Sequence, residues 1–318
     1  MNWKDTQLIY HALARKNEEC LVLTGTREPY ACIGFAQDMK KELDLDYCKE
    51  NGIGYFRRET GGGTVYLDEN QLFYQVIIKR NNPLTPKFTE PFFHRFLKPV
   101  VRTLKRFRMK GRFVPINDII VDDRKISGNG GGEIGDCKVL IGNLLLDFDH
   151  KGMTSILNVP NKKFRERIYR SMQNNLTTIK AQLGYIPQVQ EIRETLVLEY
   201  EKLVGPLEHA ELEKEVKALM EELDRKFSTE EWLFQRVPRK EGREVKIREG
   251  VMILNRNFSS NDWEVEMNLE LKDGKIKDLE VVRALNFNVQ KNAMNAALIG
   301  MDFEEKEVLD AIDELCKT

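Results

Sequence analysis

The chain has 318 residues, enough for one large domain and a smaller one. Hydrophobic residues make up 41% and charged residues 32%, an ordinary globular balance with a highly charged surface. Lys and Arg number 50 against 51 Asp and Glu, which excludes a general pull toward nucleic acid or anionic membrane and makes any positive site a local one.

The opening MNWKDTQLIYHALARKNEE has no apolar core of signal-peptide length, and nothing in the chain approaches the ~18 apolar residues of a spanning helix. Residues 4–17 read as an amphipathic helix. CLVLTG (20–25) and EPYACIGF (28–35) read as strands. Residues 38–51 have helical spacing, with Asp38 as N-cap. IGYFRR, a three-glycine loop, TVYLD and QLFYQVIIK then give a strand, a tight turn and further strands. FTEPFFHRFLKPVVRTLKRFRMK is a long, Pro-interrupted helix with a basic end. DIIVDDRKIS is a hairpin turning at its two aspartates, and KVLIGNLLLDFD is an apolar strand.

From about 150 the pattern changes. Residues 162–226 carry helical periodicity with charged faces, read as solvated. EVKIREGVMILNR, WEVEMNLELKDG and KIKDLEVVRAL then alternate as strands, with a turn at Asp273-Gly274, and helices close the chain. The boundary is expected near 226–230, dividing a domain of 1–228 from one of 229–318. Five scattered cysteines form neither CxxC nor a Cys/His pair at zinc spacing, and their odd number suits a reducing cytoplasm.

Two stretches carry chemistry. RRETGGGTVYLD (57–68) orders three glycines in a row, each of which loses more backbone freedom than any other residue. The run reads either as a flexible turn or as bare backbone approached by an anionic ligand, with Arg57 and Arg58 pointing to opposite faces of a strand end. Arginine supplies a permanently charged donor fork for carboxylate or phosphate. NDIIVDDRKISGNGGGEIGDCKVLIGNLLLDFD (117–149) carries a second glycine-rich loop, Gly128 to Gly132, after Lys125. No Gly-Lys-Ser/Thr follows and the next element is a strand, so a P-loop is rejected; a dinucleotide fingerprint does not fit either.

RRETGGGTVYLD resembles the signature of lipoate–protein ligases within the biotin/lipoate ligase family, and NDIIVDDRKISGN resembles that family's second signature. KVLIGNLLLDFD is similar to the strand closing the family's active site. EEWLFQRVPRKEG with the strands after it is similar to its small accessory domain. The resemblance implies an α+β fold: a mixed-sheet catalytic domain with a smaller α+β C-terminal domain. It implies ATP-dependent, Mg²⁺-dependent activation of lipoate to lipoyl-AMP. The acyl group then passes to a lysine of a lipoyl-carrier protein. That carrier is a 2-oxoacid dehydrogenase lipoyl domain, a glycine-cleavage H protein or a dedicated lipoate-binding protein.

On this resemblance Lys125 is the catalytic cation, between acyl carbonyl and α-phosphate. Arg58 touches the phosphate or the carboxylate partner of ATP, while Arg57 is the structural one. Gly61, Gly62, Gly63 and Thr64 line the acyl channel and the adenylate. Asn117 and Asp118 lie by the nucleotide, with Asp118 orienting Lys125 or holding magnesium, although the pair also reads as a turn into a strand. Gly128 and Asn129 lie on a loop over the adenine, and Ser127 beside them is a further substrate- or nucleotide-binding residue. Tyr66, Phe73 and Leu144 are acyl-pocket candidates by alternation alone. The sequence departs from the family where Leu67 and Ile141 replace histidines, and where three glycines follow Asn129.

Three rivals remain. A transferase of the same fold, moving octanoyl or lipoyl groups through a cysteine thioester, would use Cys137 beside Lys138. A non-catalytic carrier-binding homologue is the second. A biotin ligase is the third, though its GRGR signature is absent. KRFRMKGR (105–112) is read as a helix end or a docking patch for an acidic carrier, not as a nucleic-acid site. A cytoplasmic monomer is expected.

Overall fold

The backbone follows the period of its apolar residues. In QLFYQVIIK, Leu72, Tyr74, Val76 and Ile78 belong to one buried cluster and Phe73 and Ile77 to another, so the strand is covered on both faces. A computed structural model of the chain describes residues 2–238, 242–287 and 289–317.

In chain order the elements are α1 (Asp5–Arg15), β1 (Cys20–Thr24), β2 (Tyr30–Ile33), α2 (Met39–Glu42), α3 (Leu45–Glu50), β3 (Gly54–Arg57), β4 (Val65–Leu67) and β5 (Gln71–Lys79). Next come α4 (Thr89–Arg106), β6 (Arg112–Val114), β7 (Asp118–Val121), β8 (Arg124–Ile134), β9 (Cys137–Leu145), α5 (His150–Ser155), α6 (Lys162–Asn175) and α7 (Ile179–Leu183). Then follow α8 (Val189–Val204), α9 (Lys214–Phe227), α10 (Glu230–Leu233), β10 (Arg243–Arg248), β11 (Val251–Ser259), β12 (Glu264–Lys272), β13 (Lys275–Leu285), α11 (Lys291–Leu298) and α12 (Glu305–Lys317).

Six strands form an antiparallel sheet in the order β1-β5-β9-β8-β7-β6. One face packs on α4 and α8 through Phe92, Phe96, Val100, Leu196 and Tyr200. The other packs on α1 and α9 through Leu8, Ala12, Val216 and Phe227. Each buried Leu, Val or Phe among them contributes about 1.5–3 kcal/mol by leaving water. A small mixed sheet, β3-β2-β4, pairs β2 parallel to β3 and antiparallel to β4, and its Tyr30 and Phe56 join the second core. A four-stranded antiparallel sheet, β10 to β13, packs on α11 and α12 through residues such as Leu254, Val265, Met294 and Ile312. The fold is therefore α+β, with a separate small C-terminal sheet region.

Three expected elements differ. Residues 38–51 form two short helices rather than one. Asp38 caps the first as expected, but Asp44 accepts a hydrogen bond from Tyr47 N and starts a second. The helix expected to be interrupted by proline runs unbroken through Pro99. The run Gly128 to Gly132, expected as a loop, lies inside β8.

Contacts divide the chain into Met1–Asn158 with Asn175–Val237, and Val159–Asn174 with Pro238–Thr318. The division falls at 237/238 rather than 228/229, and α6 joins the C-terminal unit. There Asn161 donates to Glu266, Arg167 pairs with Asp278 at 2.8 Å, and Lys163 with Glu280 at 3.5 Å. Arg239, Lys240 and Glu241 of the EEWLFQRVPRKEG stretch lie outside the described residues. No described helix is long and apolar enough to cross a membrane.

Candidate functional site

Asp122 and Asp123 turn the β7–β8 hairpin with φ of 48° and 58°, the left-handed pair that a two-residue hairpin requires. Val121 pairs with Arg124 and Ile120 with Lys125, but Ile119 pairs with Ser127 and Asp118 with Gly128. The extra residue is a β-bulge at Lys125-Ile126. Residues 125 and 128 are three apart and in a regular strand would face opposite ways. The bulge returns both to the face that carries Asp118.

The consequence is an ion pair: Lys125 Nζ lies 3.0 Å from Asp118 Oδ1, with Asp118 fully buried and the lysine partly exposed. A side chain at 128 would collide with it, since a Cβ there would sit 2.9 Å from Lys125 Cε and 3.0 Å from Nζ. Asp118 thus orients Lys125. The backbone carbonyl of Lys125 is held in turn by Thr177 N at 2.8 Å.

The glycine stripe continues along the same face. A Cβ at Gly130 would meet the Gly61 carbonyl at 3.4 Å, and one at Gly132 would meet Thr60 at 3.4 Å. The strand is bare because the tri-glycine loop lies against it, and so the two motifs share one place. Within that loop the Arg58 guanidinium donates to the carbonyls of Gly61 (3.0 Å), Gly63 (2.8 Å) and Cys32 (3.3 Å). Gly62, at φ 104°, makes room for it. Arg58 therefore braces the loop. Arg57 is fully buried on the carbonyls of Phe35, Gln37 and Leu233, a structural arginine. Thr64 closes the loop by donating to the Glu42 carboxylate at 3.0 Å.

On the opposite face of β8, Asn129 and Asn117 bond reciprocally: each side-chain amide donates to the other's backbone carbonyl. Tyr74, on β5, donates its hydroxyl to Asn129 Oδ1, Asn129 donates to Ser127 Oγ at 3.3 Å, and Ser127 closes the ring on Tyr74 at 2.7 Å. That bridge passes over β9 at Gly142, where a Cβ would lie 2.0 Å from Asn129 Oδ1 and 2.4 Å from the Tyr74 ring. Ser127 and Asn129 therefore face away from Lys125 and Gly128, although they are neighbours in sequence.

Several site residues give no motif signal. Asn143 accepts from Gly128 N at 3.0 Å and donates to Gln71 at 2.6 Å; Gln71 donates to the Tyr66 carbonyl at 3.0 Å and to Asp68 at 3.3 Å. Burial raises the Asp68 carboxyl above its ordinary value, against hydrogen bonds from Asn70 and Gln71. His11, distant in sequence, accepts from Glu59 N at 3.3 Å, next to Arg58, while its Nδ1–H donates to the Gln7 carbonyl at 2.7 Å. Its pKa is lowered to about 3 by burial, so the Glu59 carboxylate 3.7 Å away faces a neutral ring and the contact is no ion pair. Glu59 pairs instead with Arg15 at 2.6 Å.

Two expectations are corrected. Phe73 and Leu144 lie in cores on opposite faces of the sheet and cannot line one pocket; Tyr66, on the small sheet, is buried beside Gly152. Cys137 does not lie by Lys125. It starts β9 opposite Ile134, five register pairs from the Asn129–Gly142 pair, or roughly 17 Å along the strand. Its thiol is buried and pushed up by burial, the reverse of an activated nucleophile. Leu67 and Ile141, where the family has histidines, are core residues, buried and half-buried with the α1 and α9 face.

The profile of the family described as Lipoyl protein ligase A/B catalytic domain matches residues 1–201. The chain belongs to that family. Its relatives within the family are both ligases and transferases. One is the octanoyltransferase LipM of Geobacillus kaustophilus, 27% identical over 237 residues, covering 67% of this chain and 85% of LipM. Another is the lipoate–protein ligase LplJ of Bacillus subtilis, 24% identical over 299 residues, covering 93% and 85%. Among solved structures, the bi-partite lipoate protein ligase of Thermoplasma acidophilum superposes with a TM-score of 0.67 at 25% identity, over 75% of this chain and 94% of that one. The family carries out lipoyl or octanoyl transfer and acts on lipoyl domains of carrier proteins.

Proposed function

We propose that this chain is an ATP-dependent lipoate–protein ligase. The observation that carries the reading is the Lys125–Asp118 pair at the end of a bare glycine stripe, on the face of β8 against which the tri-glycine loop lies. Adenylation needs a fixed cation where negative charge gathers. The substrate carboxylate attacks the α-phosphorus of ATP, the bond to the pyrophosphate oxygen breaks, and acyl-AMP and pyrophosphate result. Lys125, held by one buried carboxylate, offsets the charge on the α-phosphoryl oxygens and on the acyl oxygen. In the second step the carrier amine attacks the acyl carbonyl, AMP leaves and the amine sheds a proton. The glycines of the two runs leave no side chain in the way of an adenylate beside Lys125.

On this reading magnesium arrives with the substrate: among the described residues no group of three or more His, Cys, Asp or Glu forms a cage for a metal, and Asp118, whose Oδ1 faces Lys125, is the carboxylate nearest that lysine that could add one ligand. Mg²⁺ enters on the ATP phosphates, which is its usual mode.

Two observations favour ligation over thioester transfer. Cys137 is buried at the far end of its strand, and Cys32 is sealed beneath Arg58. The match to LplJ extends over the C-terminal region, whereas that to LipM spans 67% of the chain. Mixing the protein with ATP, Mg²⁺, lipoate and a lipoyl domain should give a lipoylated domain by mass spectrometry. Lys125→Ala should abolish pyrophosphate exchange while keeping the wild-type circular dichroism spectrum. Transfer from an octanoyl carrier without ATP, lost in Cys137→Ala, would instead establish the transferase.

A further inference from the structure

We propose that the solvent face of α4 is the docking surface for an acidic face of the carrier domain. The proposal rests on the ligase reading and adds the partner's place and chemistry.

Residues 91–116 contain eight Lys and Arg and no Asp or Glu, in a chain whose net charge is −1. Helix α4 sorts them. Phe92, Phe93, Phe96, Leu97, Val100 and Leu104 are buried, while His94, Arg95, Lys98 and Lys105 are exposed and Arg102 half-exposed. Those steps of three and four residues form one stripe. Arg108, Lys110 and Arg112 extend it beyond the helix, all exposed. Arg106 pairs with Glu199 and Arg112 with Asp123. Among the described residues, Lys98, Arg102, Lys105, Arg108 and Lys110 form no ion pair. Apart from Glu90 in its first turn, the helix carries no acid, and three cations on it and two just beyond it have no counter-charge.

The stripe leads to the site. The His94 ring packs against Phe113 of β6 with centroids 5.5 Å apart. Phe113 pairs with Ile119, and the next pair is Val114 with Asp118, the partner of Lys125. From the edge strand β6 to the strand of Lys125 is two strand spacings, about 10 Å. Pro115 and Ile116 stand exposed in the connection, Ile116 at 51%. A charged border around a small apolar centre, beside the reacting atoms, has the make-up of a transient protein interface. Unpaired cations steer an acidic partner and set its orientation, with strong salt dependence. Because the family acts on lipoyl domains, the surface fits a carrier whose acidic face flanks its target lysine.

The test uses the full chain with Lys98→Glu and Arg102→Glu together, and an isolated lipoyl domain as probe. Pyrophosphate exchange without the domain should stay within about twofold of wild type, while KM for the domain should rise about tenfold at low salt and converge with wild type at high salt. An unchanged KM overturns the docking surface and leaves the ligase reading standing. If wild type shows no exchange at all, the ligase reading falls, and direct binding of the domain to wild type and variant decides the docking surface alone: weaker binding by the variant supports it, equal binding overturns it. Single-stranded RNA binding that the double variant loses while carrier binding holds also overturns it, in favour of nucleic acid. Should the double variant fail to fold, Lys98→Gln with Arg102→Gln gives the same comparison, with a smaller expected rise in KM and the same overturning result.

Discussion

Lys125 reaches its carboxylate partner across a position that has no side chain, and this makes single glycines separable by what they protect. At Gly128 a methyl group would press on the end of the Lys125 side chain at 2.9–3.0 Å and touch Asn143 Oδ1 at 3.7 Å, with no backbone in its way. We expect Gly128→Ala to lower adenylate formation at least about tenfold, a loss of ~1.4 kcal/mol in transition-state stabilisation, with the melting temperature nearly unchanged. At Gly131 the same methyl would lie 2.6 Å from the Val139 carbonyl oxygen and 3.1 Å from Phe93, which cannot both yield. Gly131→Ala should therefore cost about 1–3 kcal/mol of stability in a denaturant titration. An active Gly128→Ala enzyme, or an unaltered Gly131→Ala midpoint, would contradict the geometry. His11 makes a prediction of a different kind. Its folded pKa of about 3 lies below the unfolded value near 6.5, so the unfolded chain takes up a proton that the folded one refuses. The contribution is whole above pH 6.5 and is lost as the pH falls toward 3, at about 1.4 kcal/mol per pH unit. Unfolding free energy should fall more steeply between pH 6.5 and 5 in wild type than in His11→Gln. Parallel slopes would show that the ring accepts its proton in the fold. Lys125 can be picked out as a candidate from the signature it sits in. His11 cannot, because 48 residues separate it from Glu59 and only the packing of α1 joins them.

At the scale of elements, the strands could be read from alternation and the two aspartate turns from their composition, and both agree with the structure. GNGGG could not. Glycine is depleted in strands, so a run of it reads as a loop. What makes it a strand is its pairing with β9, from Asn129–Gly142 to Gly132–Val139, while the loop lies against alternate residues 130 and 132; both are contacts with no local signal. The bulge at Lys125 is hidden for the same reason: one register shift decides which residues face the site, and no residue type announces it. Tyr74 shows how such hidden partners can be tested. Phenylalanine there would leave buried Ser127 without its acceptor and Asn129 without a donor. Tyr74→Phe should cost about 1–3 kcal/mol in a denaturant titration and weaken the hold on Asn117 through Asn129. A cost near zero would mean that the ring of hydrogen bonds does not hold β8 to β5.

At the scale of the molecule, the change of composition near residue 228 pointed to a second unit, and the strand-rich half after it is there. The share that composition could not reveal is α6, whose sequence reads like the other charged helices between 162 and 226. Its assignment depends on Asn161, Lys163 and Arg167 meeting residues a hundred positions later. The chain passes between the units after residues 158, 174 and 237. No single cut therefore yields two self-sufficient pieces. A fragment beginning at 238 would lack the helix that buries Phe164, Ile168 and Met172, and the remainder would display that helix to water. Produced separately, each half should aggregate; produced together from two genes, they should co-purify through α6, whereas clean separation of two soluble halves would show that the helix is dispensable to both.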